Sequence, residues 1–271
     1  MGMNGTSRKW YLAEGSTGGY FETCIWVANP SETQDAVVTL TFMTESGSVT
    51  APPQSIPPLS QREFFPNEYV GQVWSVSTMV ESNLAVVAAR TMYGNGRAWA
   101  HESIGVQAPS QSWYLAEGCT GPGFETWVLV QNQNDSQARV GLTYMTAGGP
   151  VEGPQVTLEP NSRESFNVGD TVPGNWQVST YVQSDKPVVA ERALYGNNRV
   201  WAHDSIGAFE PANQWYLAFG QVFKNTETWV LVQNPEDREA TVEFDFMSDC
   251  GPAPGDIIKV PPESRTTFNA G

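Results

Sequence analysis

Hydrophobic and polar positions alternate in short runs along most of the chain. Thr39-Leu-Thr-Phe-Met and Val242-Glu-Phe-Asp-Phe repeat with period two, the pattern of a strand with one buried face. Ala85-Val-Val-Ala-Ala is continuously apolar, which fits a strand covered on both sides. Turn formers separate the runs: Gly121-Pro-Gly, Asn132-Gln-Asn-Asp and Ala147-Gly-Gly-Pro. This spacing predicts strands over 113–117, 126–132, 138–145 and 155–159. No helix is predicted, and the expected fold class is all-β.

The runs belong to a repeat. Trp10-Tyr-Leu-Ala-Glu-Gly15 returns as Trp113-Tyr-Leu-Ala-Glu-Gly118 and as Trp215-Tyr-Leu-Ala-Phe-Gly220. Tyr93-Gly-Asn-Gly-Arg97 with Trp99-Ala-His101 returns as Tyr195-Gly-Asn-Asn-Arg199 with Trp201-Ala-His203. A shorter beat runs beneath this one: Pro58, Pro109, Pro160, Pro211 and Pro262 are each 51 residues apart. The chain therefore divides into a lead-in or tag (1–9) and a repeat domain (10–271) with units of about 10–57, 58–108, 109–159, 160–210 and 211–271. The units alternate between two flavours, a-b-a-b-a.

Two architectures fit. Repeats of four strands and 40–50 residues are the signature of propeller blades, so five units predict a five-bladed β-propeller. Tandem β-sandwiches of about 102 residues with a partial third are the alternative. Structural ion pairs are expected between Glu14 and Arg90 and between Glu117 and Arg192, because each Arg interrupts an apolar run where an unpaired charge is costly. Phe219 replaces that Glu in the third a unit, which has no b unit after it. This reads as a chain adapted to end there. The sixth copy of the first strand, Arg265-Thr-Thr-Phe-Asn269, fits either an overlapping ring closure or an open array.

Candidate ligand-binding residues come from the repeated turn. Asn95, Arg97, Trp99 and His101, and their copies Asn197, Arg199, Trp201 and His203, combine an aromatic platform with fixed donors, the equipment of a sugar site. Two equivalent sites would give avidity toward a multivalent ligand. The plainer alternative is that each Trp packs in a sheet, each Arg pairs with a carboxylate and each His is hydrogen-bonded within or between units. Neighbours such as His203 and Asp204 on one strand point to opposite faces, so no metal clamp is expected and no cofactor is implied.

Composition narrows the classes. The 271 residues hold 29 Asp+Glu against 14 Lys+Arg, which disfavours nucleic-acid backbone binding. Only 16% of residues are charged, against about 25% in an average domain. No apolar run is long enough to span a bilayer, and no signal peptide opens the chain. Cys24 is expected in the core, and Cys119 and Cys250 are expected as free thiols, with a bridge between them as the alternative. Phosphate-loop, zinc-protease and nucleophile-elbow motifs are absent from the sequence, and no enzyme activity is expected. A propeller glycoside hydrolase is the disfavoured third class.

The a-unit string Trp-Tyr-Leu-Ala-Glu-Gly…Phe-Glu-Thr…Val-Gln-Asn, with the b-unit string Val-Val-Ala-Glu-Arg…Tyr…Trp…His-Asp-Ser-Ile-Gly-Ala, resembles the WYFAEG-type repeat modules of bacterial secreted and cell-surface proteins. The resemblance runs from Trp10 nearly to Gly271 and departs from the pattern at Phe219. It implies a secreted or cell-surface location and a modular, non-catalytic role. The expected function is a lectin-like binding module with glycans or surface proteins as partners. The alternative is a structural or adhesive scaffold without a small ligand.

Overall fold

The computed structural model describes residues 5–223 and 226–271. Residues 1–4 of the expected lead-in lie outside the described residues, and Ser7 already opens the first strand. The first module comprises β1 (Ser7–Leu12), β2 (Glu22–Asn29), β3 (Ala36–Thr44), β4 (Gly47–Thr50), β5 (Gln54–Ile56), β6 (Ser60–Phe64), β7 (Ser77–Gly94) and β8 (Trp99–Ile104). A one-turn helix, α1 (Asn67–Val70), follows β6; a single turn carries too little periodicity to be seen in sequence. The second module repeats the order with β9 (Ser110–Leu115), β10 (Glu125–Asn132), β11 (Ala138–Thr146), β12 (Gly149–Leu158), β13 (Ser162–Asn167), β14 (Val178–Gly196) and β15 (Trp201–Ile206). A 3-10 turn, Val168–Asp170, stands where α1 stood. The third module holds β16 (Trp229–Asn234), β17 (Ala240–Ser248), β18 (Gly251–Val260) and β19 (Ser264–Asn269).

The fold is all-β and antiparallel, but its strand order is not that of five separate blades. The long strand β7 belongs to the second 51-residue unit, yet it pairs with strands of the first. Its N-terminal half lies between β1 and β3, with Val80 opposite both Trp10 and Leu40. Its C-terminal half lies between β2 and β8, with Arg90 opposite Ile25 and Ser103. β14 does the same between β9 and β11 and then between β10 and β15. A long apolar strand with both edges paired merges two 51-residue units into one module of the 102-residue kind. The two ladders sharing β7 close over one core, with Trp10, Leu40 and Phe42 from one and Ile25, Val27 and Phe64 from the other.

Burial of the signature Trp in the first two modules anchors the long strand. Trp10 Nε1 donates to the carbonyl of Val86, and Trp113 Nε1 to that of Val188, both at 2.8 Å. The buried indole thus keeps its one polar atom satisfied. All three cysteines are free: Cys24 and Cys119 are buried and Cys250 is exposed. Among the described residues, no helix is long and apolar enough to cross a membrane.

Candidate functional site

The repeated polar residues gather at the junction between modules. Because successive side chains on a strand face opposite ways, His and its acidic neighbour serve different junctions. His101 of the first module hydrogen-bonds through Nδ1 to Asp204 of the second at 2.8 Å. Arg90, fully buried, donates to Glu191 of the second module at 2.8 Å and to Asp204, and forms an ion pair with Glu14 of its own module at 2.7 Å. Glu191 also accepts the backbone N–H of Glu14 at 2.9 Å. One guanidinium is therefore shared by three buried carboxylates from two modules.

This crowding shapes the ionisation of the group. Burial lifts the Glu191 carboxyl to about 7, against the pull of Arg90 and with a further push from Asp204 and Glu14. Asp204 is held below the ordinary carboxylate range by Arg90 and by its bond from His101, which outweigh burial. Arg163 of the second module, buried and donating to the Gly15 carbonyl at 3.3 Å, is brought down to about 10 by desolvation. Glu14, His101 and Asp204 place one potential ligand atom each within 4.8 Å of one another. Arg90 already supplies a cation to those same carboxylates.

The turn residues serve the same junction. Asn95, Gly96 and Arg97 all take positive φ, as do Asn197, Asn198 and Arg199, which turns the chain sharply between the long strand and the next. Trp99 crosses back over Gly94 and Trp201 over Gly196; a Cβ at either glycine would fall inside the indole ring. Trp99 is 9% exposed. It stacks on His101, meets Phe21 and Tyr195 edge-on, and donates to the Arg199 carbonyl at 3.0 Å. A small apolar cluster of Met92, Trp99, Leu129, Ala193 and Tyr195 joins the two modules. Arg97 pairs with Glu22 of its own module, with Nε to Oε2 at 3.1 Å, and Arg199 pairs with Glu125 at 2.6 Å.

The two copies of the predicted site are thus not equivalent. In the second, Arg192 reaches Glu117 at 2.7 Å and turns to Ser205 of its own module at 2.8 Å. His203 lies 3.3 Å from Glu117, with its side chain 40% exposed, where that of His101 is 4% exposed. Trp201 is likewise half-uncovered. Attraction to Arg192 and His203 brings Glu117 down to about 2 despite its burial. The Trp99 copy offers no open face to a ligand, so the expectation of two matching aromatic platforms gives way to one covered junction and one uncovered copy.

Arg90, Glu14 and the histidines stand out in the sequence; Glu191, Arg163 and Gln131, which also face the junction, do not. The signal lies in differences between the modules. Gln131 and Arg163 are cross-strand neighbours in β10–β13, where the first module pairs Ala28 with Gln61. Glu191 likewise stands where the first module has Ala89. The second module carries the polar partners that face back toward the first.

No protein-family model matches the chain, and no curated protein matches it. Among solved structures, Thermotoga maritima 1070 is similar at 20% identity, over 38% of this chain and 96% of that one, with a TM-score of 0.35. The Anabaena sensory rhodopsin transducer is similar at 23% identity, over 31% of this chain and 95% of that one, with a TM-score of 0.29. Likenesses at this level carry no argument about function.

Proposed function

We propose that this chain is a structural repeat scaffold, of the WYFAEG type found in bacterial secreted and cell-surface proteins, whose modules lock head to tail. The observation that supports this reading is Arg90 of one module donating to Glu191 of the next inside a closed interface. Repeated polar residues spent on a junction set the spacing and angle of an array; they are not free to perform chemistry. Such a scaffold works outside the cytoplasm and presents its surface to other proteins. Replacing Glu191 and Asp204 together by Ala tests it. The expected result is one shared transition for the first two modules in the parent chain and two separate transitions in the variant. A single unchanged transition contradicts the scaffold reading.

A lectin-like reading keeps one foothold, the half-exposed Trp201 stacked on His203 with ring centroids 6.0 Å apart. Calorimetry against a glycan panel, with Trp201→Ala as control, separates it from the scaffold. Glycan binding lost in that variant favours the lectin.

A further inference from the structure

The third module lacks a central strand among the described residues. In the complete modules β7 and β14 each pair along both edges. Here β16 pairs with β19 and β17 with β18, and their opposite edges meet no strand. The signature residues that pack beneath the long strand elsewhere lie open: Trp215 is 60% exposed and Leu217 66%, against 0% for Trp113 and 2% for Leu115. Trp215 Nε1, with no long-strand carbonyl to reach, bonds locally to Ala212 at 3.1 Å.

The rest of the third module is already docked as the second is on the first. Gln131 donates to Met43 Sδ at 3.4 Å, and Gln233 to Met145 Sδ at 3.3 Å. Arg163 and Arg265, at matching repeat positions, both donate to the stretch after the preceding module's first strand. Arg163 reaches the Gly15 carbonyl and Arg265 the Ala116 carbonyl, two residues earlier in the repeat, each at 3.3 Å. What stays unmatched on the second module is the Arg192–Glu117–His203 group, whose counterpart in the first is filled by Glu191 and Asp204.

We propose that the third module takes up one further strand pair of the β14–β15 type, following β19 as β14–β15 follows β13. Its long strand would pair with β17 and the Trp215 segment by one half and with β16 by the other, the register that β14 uses. The charges specify it further. A Glu and an Asp at the places of Glu191 and Asp204 match Arg192 and His203. At the place of Arg192 the occupant carries an apolar residue, because Phe219 stands where Glu14 and Glu117 receive the arginines. The proposal rests on the head-to-tail reading above.

The repeat phase sets the test, since Asn269-Ala-Gly271 corresponds to Asn167-Val-Gly169. A copy of residues 170–208, with Arg192→Leu in the copy, is appended after Gly271. The expected result is a blue-shifted tryptophan emission, loss of dye binding to exposed apolar surface, and amide exchange in β16 and β17 slowed at least about 100-fold. Glu191→Ala with Asp204→Ala in the copy removes most of the gain. As a measurement independent of the fusion, the same segment added as a free peptide to the parent chain gives a saturable emission shift. Emission and exchange unchanged by both additions overturn the proposal. So does a parent chain that already protects β16 and β17 as it protects β3 and β10, or that buries them by dimerising with a second copy. If the extension is inert while the first two modules still unfold together, only this inference falls. If the Glu191/Asp204 variant also keeps a single unchanged transition for these two modules, the scaffold reading falls with it.

Discussion

Arg90 Nη2 and Glu191 Oε1 lie 2.8 Å apart and buried, though 101 residues separate them in sequence. Each sits in the apolar C-terminal half of a long strand, β7 or β14. A charge there is tolerable only with its partner present. Arg90 keeps Glu14 within its own module, but the ion pair of Glu191 is made across the junction, so folding of the second module is coupled to docking on the first.

Removing the cation exposes that dependence. Arg90→Ala leaves three carboxylates together without a counter-charge and costs about 3–5 kcal/mol in denaturant unfolding. Arg192→Ala costs clearly less, because Glu117 is 28% exposed and water can replace the guanidinium. Equal losses at the two sites would show that the junction adds nothing to Arg90.

The junction is also sensitive to pH. The Glu191 carboxyl is raised to about 7 in the folded chain, from an ordinary value of 4.5. The folded state therefore holds a proton that the unfolded state has released over that interval. Its contribution is complete below about 4.5 and is lost as pH rises through about 7. Glu117 and Asp204 are lowered and act oppositely, losing their contributions under stronger acid. Stability should peak between these ranges. Glu191→Gln should flatten the fall between pH 5 and 7, measured by melting across that interval. An unchanged slope would place the titration elsewhere.

Trp99 and Trp201 separate packing from binding. Trp99→Ala is expected to cost about 3–5 kcal/mol, as for other buried tryptophans, and Trp201→Ala less than half of that. Gly94→Ala should displace the Trp99 ring and mimic its loss, since the new methyl would occupy the ring's position. Thermal melts of the three variants give the ranking. A Trp201→Ala loss as large as that at Trp99 contradicts the half-open second copy.

The third module offers a matched contrast. Trp113→Ala should be severely destabilising, whereas Trp215→Ala should leave the melting transition within about 0.5 kcal/mol of the parent, as at an ordinary surface position. Both are read from the same denaturation curves. A large loss at Trp215 would mean that its ring is packed.

Strand positions were legible in the sequence because alternation and turn residues are local. The pattern predicts a strand over 126–132, and β10 runs Glu125–Asn132. The Glu14–Arg90 pair was legible because Arg90 interrupts an apolar run and Glu14 repeats in step with it. The 51-residue beat pointed toward blades for a physical reason: a and b units share turn spacing. Which strands pair depends instead on β7 being long enough to enter both ladders. Glu191 carries no such mark because its partner lies in the preceding module, and a unit read by itself holds no cue to it; Asp204 was legible only as the neighbour that faces away from His203. Ala89 standing where Glu191 recurs was the available hint.

The central claim is that Arg90 and Glu191 tie one module to the next, and a double-mutant cycle tests it most directly. Arg90→Met, Glu191→Gln and the double variant are compared by denaturant unfolding of the full chain at pH 8, above the range in which Glu191 titrates. A coupling energy of about 1.5 kcal/mol or more is expected for a desolvated charge pair of this kind. Additive losses, with a coupling below about 0.5 kcal/mol, would contradict it.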